Sequence, residues 1–190
     1  MDGFEEVCLD LLDAGRRGRI FDEALGRLGL RSQNSFVAEL VDTYRNHRPN
    51  IALAPDAKRY LDARPALCRG ALVTDGPART QEAKIRALGL DAALDCIVCT
   101  DRLGPGCGKP HPRAFEVVEV WAEAYGAPLV YVSDNPLKDF VTPKARGWRT
   151  VQIRRPQRIH RFDAPDERHA AHASITNLDE LDGCVRRLLA

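Results

Sequence analysis

Apolar residues in the first 48 positions recur only with a helical period. They fall at three- and four-residue intervals in two stretches, as in helices that bury one face. Segments at 14–19 and 28–34 separate the predicted helices, and Ser32 or Asn34 would cap the third. The pattern therefore predicts a helical domain over residues 1–50. The apolar positions are Phe4, Val7, Cys8, Leu11 and Leu12 in the first stretch and Phe36, Leu40, Val41 and Tyr44 in the second.

From residue 51 to residue 190 short apolar runs alternate with helical patterns. Such alternation predicts an α/β domain with a doubly wound parallel sheet and helices on both faces. Pro143 falls inside one predicted helix and should bend or end it near residue 142. The predicted strands are 68–73, 95–99, 128–132 and 148–153, and the predicted helices are 56–64, 77–90, 111–126, 136–146 and 174–189.

Composition narrows the class of protein. The chain has 190 residues and a formal net charge of +1, so neither a nucleic acid nor a membrane is the expected partner. Its N-terminus is acidic and lacks the basic start and apolar middle of a signal peptide. Six cysteines are scattered without the spacing of a disulfide framework. We therefore expect reduced thiols and a cytoplasmic location.

Polar residues follow three of the predicted strands, at the sheet edge where α/β proteins place their chemistry. A hydroxyl, an ammonium group and two carboxylates on one rim suit a phosphate group held together with Mg²⁺, which prefers oxygen ligands. The residues expected on this rim are Thr74, Asp75, Gly76 and Lys109 at the substrate and Asp134 and Asp139 as metal ligands.

Three segments resemble the second, third and fourth motifs of the haloacid dehalogenase-like (HAD) hydrolases. They are LVTDG, GKPHPRAF and YVSDNPLKDF, and the resemblance covers residues 51–155. It implies that Thr74 binds the phosphoryl group and that Lys109 stabilises the nucleophile and the transferring phosphoryl group. It also implies that Asp134 ligates Mg²⁺ and that Asp139 makes a second acidic contact.

The same resemblance implies an activity. Most members of this family are phosphatases that work through an aspartyl-phosphate, so we expect a Mg²⁺-dependent phosphatase for a small phosphorylated metabolite. Residues 1–48 resemble part of the helical cap that many members carry.

The first motif of the family, an apolar strand that ends in Asp-x-Asp, is not found. Asp10 and Asp13 are three positions apart and lie in a helical pattern. Without that strand, a slot of roughly 10 Å is expected between the strands at 68–73 and 128–132. We expect that the two strands close up, that a partner chain or a second copy fills the slot, or that the chain is truncated. In each case we expect that these residues alone are not active.

Two other functions fit the pattern. One is a non-catalytic phosphate-binding or partner subunit with a HAD-like fold. The other is an unrelated doubly wound binding domain, which is disfavoured because no G-x-G-x-x-G loop follows a strand.

The candidate residues also have structural interpretations. Thr74 would otherwise be a turn hydroxyl, Lys109 a solvated loop lysine, and Asp139 a charge on a helix surface. Asn135 would cap the helix that follows, and the basic stretch 154–162 would be solvated.

Overall fold

The computed structural model describes residues 3–16, 18–30, 34–65 and 67–190. The chain divides into two compact units, Met1–Arg48 and Pro49–Ala190. Ser32, one of the two predicted caps, lies outside the described residues. Among the described residues, no helix is both long and apolar enough to cross a bilayer.

The described residues of the first unit form three helices. These are α1 (Phe4–Asp13), α2 (Ile20–Arg27) and α3 (Asn34–Asn46). The Phe21 ring joins them, because its centroid lies 5.9 Å from that of Phe4 and 6.0 Å from that of Tyr44. Leu11, Ala24 and Leu25 are buried.

The second unit alternates strands with helices. Its strands are β1 (Ala71–Thr74), β2 (Cys96–Cys99), β3 (Val130–Ser133), β4 (Arg149–Ile153) and β5 (Ala173–Ile175). Its helices are α4 (Pro55–Ala63), α5 (Ala78–Ala87), α6 (Leu90–Ala93), α7 (Arg113–Glu123), α8 (Val141–Ala145) and α9 (Leu181–Leu189), with 3₁₀ turns at Thr100–Leu103 and Leu178–Glu180.

The strands pair in parallel, in two sheets. β1 pairs with β2, and β4 lies between β3 and β5. The α/β class and the parallel pairing are thus confirmed. Within the described part of the chain, β1 and β3 are not paired with each other, so each keeps one edge without a neighbouring strand.

Both sheets pack against one apolar core. Val73 of β1 and Val98 of β2 lie in one buried cluster with Phe115 of α7 and with Trp148, which directly precedes β4. The Phe115 ring meets Tyr131 of β3 edge-on at 5.2 Å between centroids. This cluster fixes β1 and β3 against the same helix although they are not hydrogen-bonded to each other.

Two helices predicted for the second unit are shorter in the structure than the sequence indicated. The helix predicted over 136–146 shortens to α8, which begins only at Val141 and runs through Pro143 to Ala145, so the bend or end predicted near residue 142 is wrong. Pro143 falls in the first turn of α8, where no intrahelical bond from its N–H is needed. The start of the helix predicted over 174–189 is instead strand β5, whose Ile175 enters the core beside Val151, and α9 begins at Leu181.

His172 is a group through which we expect the stability of the second unit to depend on pH. Its Nδ1 accepts from the buried Thr150 N–H at 3.1 Å and lies 2.8 Å from the Thr150 hydroxyl. Burial, followed by the nearby charges of Lys144 and Arg149, lowers the pKa of His172. The folded protein therefore binds this proton less readily than the unfolded chain, and stability falls as the pH drops below the unfolded value of about 6.5.

We expect the free energy of unfolding to be smaller at about pH 5.5 than at about pH 7.5, on either side of that value. Urea denaturation of the wild type and of the His172→Asn variant measures this, and the pH dependence should be weaker in the variant. His160→Asn, which removes a partly exposed ring tilted against that of Phe162 at 5.5 Å between centroids, is the control and should behave as the wild type does. If the free energy of unfolding fell by the same amount between the two pH values in the wild type and in His172→Asn, the prediction would be contradicted.

Candidate active site

The carboxyl ends of β1 and β3 meet at one place. Asp75 follows β1 directly, and its Oδ2 lies 2.5 Å from the Nζ of Lys138, five residues beyond the end of β3. The backbone N–H of Lys109 donates to Asp75 Oδ1 at 3.1 Å, as does the hydroxyl of Thr100, just beyond β2, at 3.0 Å. Asp75 thus joins segments that follow three strands.

Asp75 is held in its ionised form. Burial opposes its ionisation, but the hydrogen bonds from Lys138 and from the Lys109 backbone, with the charges of both lysines, lower the pKa of Asp75. Gly108 lies beside Asp75, and a Cβ added there would stand 3.7 Å from Oδ1. The carboxylate is therefore surrounded by donors and serves as an anchor for the two lysines.

Lys109 forms a buried ion pair. Its Nζ lies 2.9 Å from Asp139 Oδ1 and donates to the Tyr131 hydroxyl at 3.0 Å. Only 9% of the Lys109 side chain and 2% of the Asp139 side chain are exposed. Burial alone would lower the pKa of Lys109, but Tyr131 and Asp139 together raise it well above its usual value. Lys109 is therefore a permanent cation.

The other oxygen of Asp139 is also occupied. Its Oδ2 accepts from the Ser133 hydroxyl at 2.6 Å and from the Asn135 N–H at 3.2 Å. Asn135 does not cap a helix; its side chain accepts from the N–H of Leu137 and closes a turn. This turn carries Asp139 back under the end of β3, where it meets Lys109.

Thr74 and Asp134 are less constrained. The Thr74 hydroxyl donates to Gln81 Oε1 of α5 at 2.7 Å. Gly76, with φ of 109°, makes the turn between them in a conformation that glycine adopts without strain. Asp134 is half-buried, and its backbone carbonyl accepts from Gln152 Nε2 at 3.4 Å. Among the described residues, its carboxylate has no hydrogen bond or ion pair.

The structure thus brings together Asp75, Lys109 and Asp139 of the predicted site residues, while Thr74 and Asp134 adjoin them along the chain. Tyr131, Ser133, Lys138 and Thr100 also belong to the site but were not predicted. Tyr131 and Ser133 are two positions apart in β3 and therefore lie on the same face of the strand, a relation that can be recognised from the sequence. The pairing of Lys138 with Asp75 spans 63 positions, so no local pattern reveals it.

The oxygens of the site offer little to the Mg²⁺ that the fourth motif implies. Both oxygens of Asp139 and both of Asp75 already face N–H or O–H donors. Asp134 alone presents an open carboxylate, and no group of three potential metal-ligating side chains occurs among the described residues. Mg²⁺ usually needs more oxygen ligands than one carboxylate. The described residues by themselves do not fit this ion.

Two curated proteins are similar to part of the chain. Phosphoserine phosphatase of Thermus thermophilus is 29% identical over 140 residues, which is 73% of this chain and 55% of that protein. The (S)-2-haloacid dehalogenase of Xanthobacter autotrophicus is 30% identical over 111 residues, which is 58% of this chain and 41% of that protein. The chain thus spans about half the length of these relatives.

Solved structures share the fold over nearly the whole chain. L-2-haloacid dehalogenase from Xanthobacter autotrophicus superimposes with a TM-score of 0.66 at 20% identity, over 97% of this chain and 84% of that one. A putative beta-phosphoglucomutase from Thermotoga maritima gives a TM-score of 0.69 at 16% identity, over 98% and 90%. A family model for haloacid dehalogenase-like hydrolases matches residues 8–139. The chain belongs to the haloacid dehalogenase-like hydrolases.

Proposed function

We propose that this chain carries the anion-binding part of a phosphatase for small phosphorylated metabolites. The observation that carries the proposal is the buried Lys109 ammonium at the meeting ends of β1 and β3. It uses two of its three donors on Asp139 and Tyr131, which leaves one N–H for an oxygen of the substrate. A fixed cation of this kind stabilises charge that develops during phosphoryl transfer.

The nucleophile is proposed to arrive on an additional strand between β1 and β3. Asp75 and Asp139 are neutralised by lysines and are poor nucleophiles as they stand. The unpaired edges of β1 and β3 offer backbone donors and acceptors for a strand that ends beside Lys109. Another segment of the same polypeptide, a partner chain or a second copy can supply such a strand.

We propose that the site depends on Mg²⁺ only when the added strand has completed it. Asp134 is the one open carboxylate among the described site residues, and the added strand would contribute a further oxygen ligand. Mg²⁺ would then neutralise substrate charge, whereas Lys109 orients the phosphoryl oxygen and Asp139 fixes Lys109. A non-catalytic phosphate-binding subunit is the alternative if no such strand ever joins.

A second candidate activity is hydrolytic dehalogenation of a 2-haloacid. It is favoured because Asp139 is already paired with Lys109 and is not available to a metal ion. It is also favoured because the cations of the site are two lysines. A carboxylate substrate carries one negative charge where a phosphate monoester carries up to two, so it needs less compensation. Thr74 and the open Asp134 carboxylate favour the phosphatase.

A substrate comparison separates these activities. The chain should be mixed with a synthetic peptide whose roughly six-residue apolar strand ends in Asp-x-Asp, and offered 4-nitrophenyl phosphate or 2-chloropropionate. We expect Mg²⁺-dependent release of phosphate and no release of chloride. Chloride release in EDTA, without phosphate release, would replace the phosphatase with the dehalogenase.

A further inference from the structure

Lys138 is a second cation of the site to which the proposed reaction assigns no role. Its Nζ lies 2.5 Å from Asp75 Oδ2, and 35% of its side chain is exposed, whereas Lys109 is buried. The ion pair joins the end of β1, in one sheet, to the turn after β3, in the other. Lys138 therefore lies at the carboxyl ends of β1 and β3, beside the proposed anion site, with part of its side chain open to solvent.

The charged groups alternate in sign across the site. Lys138 contacts Asp75, Asp75 also interacts with the charge of Lys109, and Lys109 contacts Asp139. Three donors face each carboxylate, and Asp139 Oδ1 meets Lys109 as an ion pair without a further hydrogen bond. The lysines are not saturated, because Lys109 uses two of its three donors and Lys138 uses one.

We infer that Lys109 and Lys138 together form an oxyanion site that holds phosphate without a divalent metal ion. The inference rests on the proposed function for the identity of the anion and adds Lys138 as a second cation that holds the anion before Mg²⁺ joins the completed site. A cation that bound Asp75 or Asp139 would have to displace an ammonium, and Asp134 by itself offers only one carboxylate. An anion needs only the donors that remain free on the two lysines, and such charge-assisted bonds are the stronger class.

The partial exposure of Lys138 fits this role, because a ligand-binding lysine must keep part of its ammonium open to solvent until the anion arrives. Asp75 holds Lys138 in place, which lowers the entropy that its long side chain loses on binding.

Titration calorimetry of the full chain with inorganic phosphate in EDTA tests the inference. We expect the wild type to bind, and Lys138→Gln to bind about ten- to a hundredfold more weakly, as for loss of a hydrogen bond to a charged group. Lys138→Arg, which keeps the charge, should bind within a few-fold of the wild type. Lys58→Gln is the matched control, because Lys58 also pairs with an aspartate, Asp62, at 2.8 Å on the surface of α4, and it should bind as the wild type does.

Two results would overturn the inference. One is phosphate binding that occurs only when Mg²⁺ replaces EDTA, or no phosphate binding in either buffer. The other is equal affinity in wild type and Lys138→Gln, with thermal melting confirming that both are folded. Failure of the phosphatase proposal looks different, since phosphate would still bind in EDTA while the chain with its added strand releases none from an ester.

Discussion

The Lys109→Met variant is expected to lose about 3–5 kcal/mol of stability, which is the usual loss when one partner of a buried ion pair is removed. Asp139 is 2% exposed, and without Lys109 its charge would remain buried beside Ser133 and the Asn135 N–H. Neither of those donors carries a charge that could balance it. Urea denaturation at neutral pH measures the change.

Two further variants isolate the ion pair from the rest of the side chain. Lys109→Met combined with Asp139→Asn removes both charges and should recover most of the stability that the single variant loses. Lys58→Met breaks an exposed pair and should lose at most about 1 kcal/mol. If Lys109→Met cost no more than Lys58→Met, the buried pair would not organise this site.

The second large effect is expected from an added strand. A peptide that enters between β1 and β3 would hydrogen-bond to both free edges. Amides on these edges should then exchange with solvent about a hundredfold more slowly at a peptide concentration about 100 times its dissociation constant. Hydrogen exchange followed by mass spectrometry of β1 and β3 peptides measures this protection.

The controls address where the peptide binds. A peptide with proline at its centre cannot complete the ladder and should protect neither strand. The outer edges of β2 and β5 are alternative docking positions. Protection confined to β5 would mean that the peptide extends the existing sheet at its end, and insertion between β1 and β3 would be refuted.

Local patterns were sufficient to predict most of the second unit. Four short apolar runs became β1 to β4, because each is bounded by polar residues or glycine and lies between helical patterns. β5 was missed because three residues give too short an alternation, and its position depends on pairing with β4. Contacts between distant segments, rather than local preference, decide such elements.

The candidate site was likewise predicted only where local pattern was sufficient. Asp75, Lys109 and Asp139 could be placed near one rim because each follows a predicted strand. Their partners could not be predicted, since the expectation for Asp139 was a metal contact or a surface charge, whereas the structure places it in a buried pair with Lys109. That pairing depends on the turn at Asn135, which the sequence suggested only as a helix cap.

We propose that this chain provides the anion-binding side of a hydrolase whose nucleophile arrives on another strand. Phosphate release from 4-nitrophenyl phosphate in Mg²⁺ buffer tests it most directly, with the chain alone, with the Asp-x-Asp peptide and with an Asn-x-Asp peptide. We expect release only with the Asp-x-Asp peptide, on the order of a thousandfold above the other two mixtures, because loss of a nucleophile has effects of at least this size. Clear turnover by the chain alone, lost in both Lys109→Ala and Asp134→Asn, would show that the nucleophile lies within these residues and would contradict the claim.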